Sequence, residues 1–296
     1  MFSYDARVLS VALSAIIESS VSDDAWRWLQ EKAADVSSSE TESALNVAFA
    51  AIPRKVGKNG VSVSESAVTN IQQIRPGFQI TNWSIDRLCR VWVLIQVPAS
   101  NKTNYFARIQ NLFLAAEMNE LVALYSALPV LAYPEAWKAQ CAEGIRSNIG
   151  DVLEAIMCNN PYPSEQLDEA AWNQLVLKAI FTEKPLHSII GLDDRANLEL
   201  ANTLSDFAHE RWAAHRTVPP MLWRCVGPFI NEKTIGDMER LVLSVDSTER
   251  EAAALACSVS QFPAATELLD RNKQLNALVK SGDISWESIA KKTELV

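Results

Sequence analysis

Three histidines occur in the 296 residues, and two of them fall in one short segment, His209-Glu210-Arg211-Trp212-Ala213-Ala214-His215. A zinc-binding H-E-x-x-H helix needs its second imidazole one turn after the first. Here it follows by six residues, about 120° away around a helix, so the pair cannot chelate one ion from one face. Both are read as structural histidines. The same helix lines up Leu204, Phe207, Ala208, Arg211 and His215 on one stripe, which sets a guanidinium and an imidazole among apolar neighbours. An unpaired buried Arg211 would be costly, so it must meet a carboxylate or the anionic group of a ligand. Glu143, Asp193 and Asp206 are the candidate partners, and an internal ion pair is the simpler expectation. Arg211 and His215 are the first residues to test if a ligand exists.

Other residues carry weaker signals. Asp193-Asp194 with Asn197 has the elements of a magnesium–diphosphate site, but one short copy at the start of a helix is explained by capping of backbone N–H groups. Arg87 and Arg90 share a strongly apolar helix with Asp86, and Arg146 sits at the edge of another apolar stripe; turned inward, they would line an anion-accepting cavity between helices. The lysine and glycine of Arg54-Lys55-Val56-Gly57-Lys58 lack phosphate-loop spacing and read as a basic turn before a helix. Nine tryptophans are many for this length, and Trp223 stands in the same region as the candidate arginines. No serine or cysteine sits in an elbow motif that would make it a nucleophile. The candidate ligand-binding set is therefore Arg87, Arg146, Arg211, His215 and Trp223, with no metal site and no cofactor expected.

These side chains must be positioned by helices. Nine glycines and twelve prolines are few, and the prolines fall where helices should stop. Between them apolar residues recur at intervals of three and four, and runs alternating at period two are missing. Val8 to Ile17 reads as an amphipathic first helix. Ser84 to Val97 is apolar nearly all round and belongs in the middle of a bundle, and Tyr133 to Asn159 gives one long amphipathic pattern. Pro53 to Asn82 reads as a longer irregular stretch. Near the end, the small residues Ala252 to Ala256 precede Phe262-Pro263, which opens another helix. Paired short helices with alanine-rich contacts predict an all-α fold, an irregular α-solenoid of stacked helical pairs of the HEAT or armadillo kind. No polar linker divides the chain, so residues 1–296 are expected to form a single domain: N-terminal helices over 1–51, a central region of about 52–256, and a C-terminal helical extension over 257–296.

A net charge of −9 repels a phosphate backbone, which argues against nucleic acid as a partner. The five widely spaced cysteines, none in a C-x-x-C pair, fit buried thiols in a reducing compartment, which points to the cytoplasm. The longest apolar run, Val91 to Ile95, is far short of the roughly 18 residues that a transmembrane helix needs.

The central region carries an ordered series of motifs: Asn82-Trp83-Ser84-Ile85-Asp86-Arg87, Glu120-Leu121-Val122-Ala123-Leu124-Tyr125, Ala142-Glu143-Gly144-Ile145-Arg146-Ser147-Asn148, and Asn160-Pro161-Tyr162-Pro163. Trp172-Asn173-Gln174-Leu175, Gly191-Leu192-Asp193-Asp194-Arg195-Ala196-Asn197, His209-Glu210-Arg211-Trp212, Leu222-Trp223-Arg224 and Gly227-Pro228-Phe229 follow. Together they resemble the EboA domain family. The resemblance implies a protein working beside a membrane prenyltransferase and other pathway enzymes in making or moving a small secondary metabolite. It assigns no catalytic residue. The leading expectation is non-catalytic binding, traffic or scaffolding for such a metabolite, a prenylated one. The alternative is an enzyme acting on a prenylated or cyclitol-type metabolite in an interhelical cavity, with His215 as acid or base. The expected location is cytoplasmic, with peripheral attachment at the inner membrane as the variant that the resemblance suggests.

Overall fold

A computed structural model describes residues 1–39 and 41–294; positions 40, 295 and 296 of the expected single domain lie outside the described residues. Among the described residues there are eighteen α-helices, five short 3-10 turns and no strand, apart from an isolated antiparallel bridge between Gly60 and Ser84. Two compact units divide the chain, residues 1–171 and residues 172–296.

The first unit is organised by α5 (Ile85–Ile95), in which ten of the eleven residues are buried and only Arg87 is not. The apolar residues contribute about 1.5–3 kcal/mol for each fully buried Leu, Val or Ile side chain. Around it pack α1 (Ala6–Ser20), α3 (Glu42–Val56) and α7 (Met118–Ala127). Asp5 caps α1 through Arg7 and Val8 N–H, and Ser22 caps α2 (Asp23–Ser38) through Ala25 N–H. Thr41 takes the N-cap position of α3, with its own N–H held by Ser39 Oγ at 3.1 Å. The basic residues Arg54 and Lys55 end α3, where they complement the negative end of the helix dipole, rather than preceding a helix. The stretch read as irregular contains α4 (Glu65–Ile74), started by Ser64 as N-cap, and α3 itself runs on through Pro53. Arg108, buried on α6 (Lys102–Ala115), donates to the carbonyls of Ser39 and Val36 and so satisfies the end of α2.

The pattern from Tyr133 to Asn159 is two helices rather than one, α8 (Lys138–Ile145) and α9 (Gly150–Met157). Gly144 explains the approach between them: a Cβ there would lie 2.5 Å from Ile156 and from the Tyr125 ring. Ser147 then accepts the Ile149 N–H in the connecting turn. Asn160 completes the corner before α10 (Tyr162–Gln166), donating to the Tyr125 and Ala155 carbonyls and accepting the Tyr162 N–H, while Tyr162 O–H reaches the Pro134 carbonyl at 2.6 Å. Arg75 closes the same region with a two-pronged contact to Glu165 at 2.5 and 2.8 Å.

The second unit is built on α15 (Ser247–Val259), whose residues Glu251 to Cys257 are all buried. Alanine-rich walls let neighbours approach closely: α14 (Ile235–Val242), α16 (Pro263–Arg271), α17 (Lys273–Ser281) and α18 (Trp286–Glu294) all pack on it. Pro263 occupies the first position of α16, where a missing N–H costs no bond. The remaining helices are α11 (Glu169–Phe181), which starts one turn before the boundary, α12 (Leu198–Ala213) and α13 (Trp223–Val226). Asn197 caps α12 through Leu200 N–H and exchanges amide bonds with Asn173, while Arg224 holds Asp193 through two bonds of 2.6 Å. Asn197, not the aspartate pair, thus starts this helix.

Candidate ligand-binding site

The five residues singled out by sequence are divided between the units: Arg87 and Arg146 in the first, Arg211, His215 and Trp223 in the second.

In the second unit, α12 buries Leu200, Ala201, Leu204, Ser205 and Ala208. It ends in a turn in which Ala214 N–H donates to the Glu210 and Arg211 carbonyls and Arg216 N–H to the Arg211 carbonyl at 2.8 Å. His215 adopts a positive φ of 54° there, past the last helical residue, and is exposed. Arg211 therefore stands in the final turn rather than deep in the apolar stripe, and it is half-buried. Its Nε donates to the Thr217 carbonyl, and its guanidinium lies 5.7 Å from the Phe207 ring centre. A backbone carbonyl meets the need for which a carboxylate was expected. Two of the three carboxylates considered for it are engaged otherwise, Asp193 with Arg224 and Glu143 with Arg146. Trp223 is wholly buried and stacked on Trp212, with ring centres 5.7 Å apart and planes 19° apart.

His209 has a role that its sequence neighbours do not signal. Its Nε2 meets Asp237 Oδ1 at 2.5 Å, and the other carboxylate oxygen accepts from Ser205 Oγ at 2.6 Å. Asp237 is buried and lies on α14, so no local spacing could have linked it to His209.

Beyond the turn that Arg211 fastens, Pro219, Pro220 and Met221 form one side of a groove of about 540 Å³. Ile180 and Leu186 wall the rest, with Glu183, Lys184, His187 and Thr293 supplying polar groups. Thr217 and Pro219 are two residues apart, so the Arg211 contact fixes the chain within roughly 7 Å of the groove wall. Prolines stiffen that wall because their φ is set by the ring. Sequence reasoning missed Leu186, Pro219, Pro220 and Met221, since Pro219-Pro220 read only as a helix stop.

In the first unit, Arg87 Nε donates to Ser126 Oγ at 2.8 Å, and the guanidinium covers the Trp83 ring at 4.2 Å. Burial lowers its pKa to about 10, against the opposing influence of Glu154 and Asp86. A cleft of about 370 Å³ beside it is lined by Lys58, Asn82, Asp86, Asn119, Asp151 and Glu154 among others. Three carboxylates against two cations make it a poor place for an anion. Arg146 is on the surface, 66% exposed, paired with Glu143 one turn back on its own helix.

Nucleophilic chemistry finds little support in this geometry. Burial pushes the Cys141, Cys225 and Cys257 thiols up to about 12, which keeps them protonated and inert. Among the described residues no group of three or more His, Cys, Asp and Glu side chains is arranged to hold a metal ion, and no helix is long and apolar enough to cross a membrane.

The described residues are thus all-helical and enclose hollows of small-molecule size. Comparison with known families makes the assignment: the family described as metabolite traffic protein EboA matches residues 9–227, and the chain belongs to it. The match contains Arg87, Arg146, Arg211, His215, Trp223 and the proline wall of the groove, and it ends before α14. No curated protein and no solved structure matches.

Proposed function

We propose that the protein binds and hands over, without catalysis, a small metabolite with an apolar chain, a prenylated compound, and that the proline-walled groove of the second unit receives that chain. The observation that carries this reading is the groove itself. Ile180, Leu186, Pro219, Pro220 and Met221 give apolar walls to a groove of about 540 Å³, within the usual range for small-molecule sites. Traffic in the family description supports it. On this reading Arg211 and His215 act by shaping the turn that precedes Pro219, and Trp223 anchors the short helix that follows Met221. On the same reading helical pairs within each unit, α2 with α3 in the first and α14 with α15 in the second, stack irregularly in the HEAT manner inside that unit and give it its frame. The protein works in the cytoplasm, peripheral to the inner membrane, beside the prenyltransferase that makes its cargo.

The test uses farnesol as a neutral prenyl probe, followed by native mass spectrometry. Wild-type protein should retain one farnesol, and Leu186→Trp, which fills the groove, should retain none while melting at an unchanged temperature. Equal retention by both proteins, or by neither, would overturn the groove reading. Protein purified from its own organism that carries no small molecule, yet brings pathway enzymes with it, would favour a scaffold instead.

A further inference from the structure

Against a net charge of −9, the segment from α12 to α15 concentrates cations around one hollow. A recess of about 460 Å³ is lined by Trp212, His215, Arg216 and Thr217 from the end of α12, and by Arg240, Leu241, Ser244 and Glu249 from α14 and the start of α15. Four arginines surround it, in two different roles. Arg211 and Arg250 are spent on backbone: the first holds the Thr217 carbonyl, the second the Ser244 and Val245 carbonyls at 2.6 and 2.9 Å. They fasten the two rims. Arg216 and Arg240 are exposed and have no ion pair or side-chain hydrogen bond among the described residues. The one carboxylate in the lining, Glu249, is held by Ser244 Oγ at 2.5 Å.

Arg240 is also pre-oriented. Its guanidinium carbon lies over the Trp212 ring, 4.1 Å from the ring centre, a cation–π contact that seats the group beside the recess. The platform beneath it is rigid for a reason that can be followed inward. Trp212 stacks on the wholly buried Trp223, and its ring centre is 5.7 Å from that of His209. His209 is fixed by the buried Asp237, which Ser205 fixes in turn. A side chain resting on a platform that is itself fixed by such contacts gives up less freedom when a ligand arrives.

We propose that this recess is a binding site for a phosphate-bearing small compound, with Arg240 and Arg216 taking the anionic oxygens and Trp212 serving as the platform. Two guanidinium forks suit a tetrahedral anion with several oxygens better than a lone carboxylate. Trp212 and Arg216 lie inside the residues matched by the family, while Arg240 and Glu249 lie outside them, so the site is completed by this chain's C-terminal helices. It does not depend on the apolar groove, whose lining shares no residue with it.

The experiment titrates inorganic pyrophosphate into the full chain by calorimetry, and in parallel measures cosedimentation with phosphatidylglycerol vesicles against phosphatidylcholine vesicles. Wild-type protein should bind pyrophosphate with an affinity that falls as salt rises. Arg216→Gln with Arg240→Gln should weaken it ~tenfold or more. Both side chains are exposed, so the variant should fold, and an unchanged melting temperature checks this. Binding to phosphatidylglycerol vesicles that the double variant loses, without pyrophosphate binding, would support the same site with a lipid headgroup as the source of phosphate. Absence of both, or binding that the double variant retains in full, would overturn the proposal.

Discussion

Arg90 and Asp86 face each other across one turn of α5, Nη1 to Oδ2 at 2.8 Å, with side chains only 1% and 5% exposed. The guanidinium also donates to the Phe49 carbonyl at 3.2 Å and lies 3.6 Å from Glu120. An ion pair this deep gains Coulomb energy in a weakly screening interior but forfeits the hydration of both ions, so the intact pair and its complete removal differ less than either does from a broken pair. Arg90→Ala should therefore destabilise the protein by about 3–5 kcal/mol, because the Asp86 carboxylate is left buried and uncompensated. Arg90→Met with Asp86→Leu should recover most of that loss. Urea unfolding of the three proteins checks the order; a double variant as unstable as the single one would show that the pair stabilises the fold outright.

Gly227 and Gly236 offer a matched comparison in the second unit. A Cβ on Gly227 would stand 2.9 Å from the Ala256 Cα and carbonyl oxygen, backbone atoms of α15 that cannot move aside, whereas a Cβ on Gly236 meets nothing within 4 Å. Gly227→Ala should cost about 1–3 kcal/mol through overpacking. Gly236→Ala should stabilise by about 0.4–1 kcal/mol, because the unfolded chain loses freedom at a position already helical. Thermal melts of both variants decide the sign.

The thiols predict a pH dependence. Cys141, Cys225 and Cys257 are pushed from the ordinary value of 9.0 up to about 12 by burial, and Cys89 is raised as well. Between pH 9 and pH 12 the unfolded chain gives up these protons while the folded chain retains them, so stability falls as pH rises through that window. Burial raises the Tyr105 and Tyr162 hydroxyls too, which extends the loss to higher pH. Urea midpoints measured from pH 8 to pH 10.5 should decline steadily above about pH 9. Iodoacetamide at pH 8 should label the half-buried Cys158 first and reach the four buried cysteines only when the chain opens.

What sequence made legible follows from which forces act locally. Helix period and capping are written within a few residues, so α5 and α1 were readable as they stand, and Phe262-Pro263 announced α16. The break between α8 and α9 was not, because apolar residues go on recurring at intervals of three and four across it, from Ala142 through Ile145, Ile149 and Val152 to Ile156. Pro53 looked like a stop and lies inside α3. For the site, Arg211 and Trp223 were noticed for their residue types, but sequence could not say that one would spend its charge on the Thr217 carbonyl and the other be wholly buried. Arg216 and Arg240 gave no signal in isolation: they meet around Trp212 only because α14 packs beside the end of α12. Several segments that carried the family resemblance turn out to be structural staples, as Asn197 with Asn173 and Asp193 with Arg224 show.

Asn160 belongs to that group and supports a final prediction. It is 4% exposed, and its amide makes three bonds that tie the ends of α7 and α9 to the start of α10: two donated to the Tyr125 and Ala155 carbonyls, one accepted from Tyr162 N–H. Asn160→Ala removes all three bonds at once; the Tyr125 carbonyl keeps the Leu128 N–H, but the Ala155 carbonyl and the Tyr162 N–H lose the Asn160 partner, each at a cost of about 1–3 kcal/mol where water cannot enter. Asn160→Asp keeps the acceptor for Tyr162 but loses both donors and sets a carboxylate against two carbonyl oxygens in a buried corner. The aspartate variant should therefore be the less stable of the two at neutral pH and should approach the alanine variant as acid protonates it. Denaturant midpoints at pH 7 and pH 5 test this crossing; an aspartate variant as stable as wild type at pH 7 would mean that the corner is open to water and that the amide is no staple.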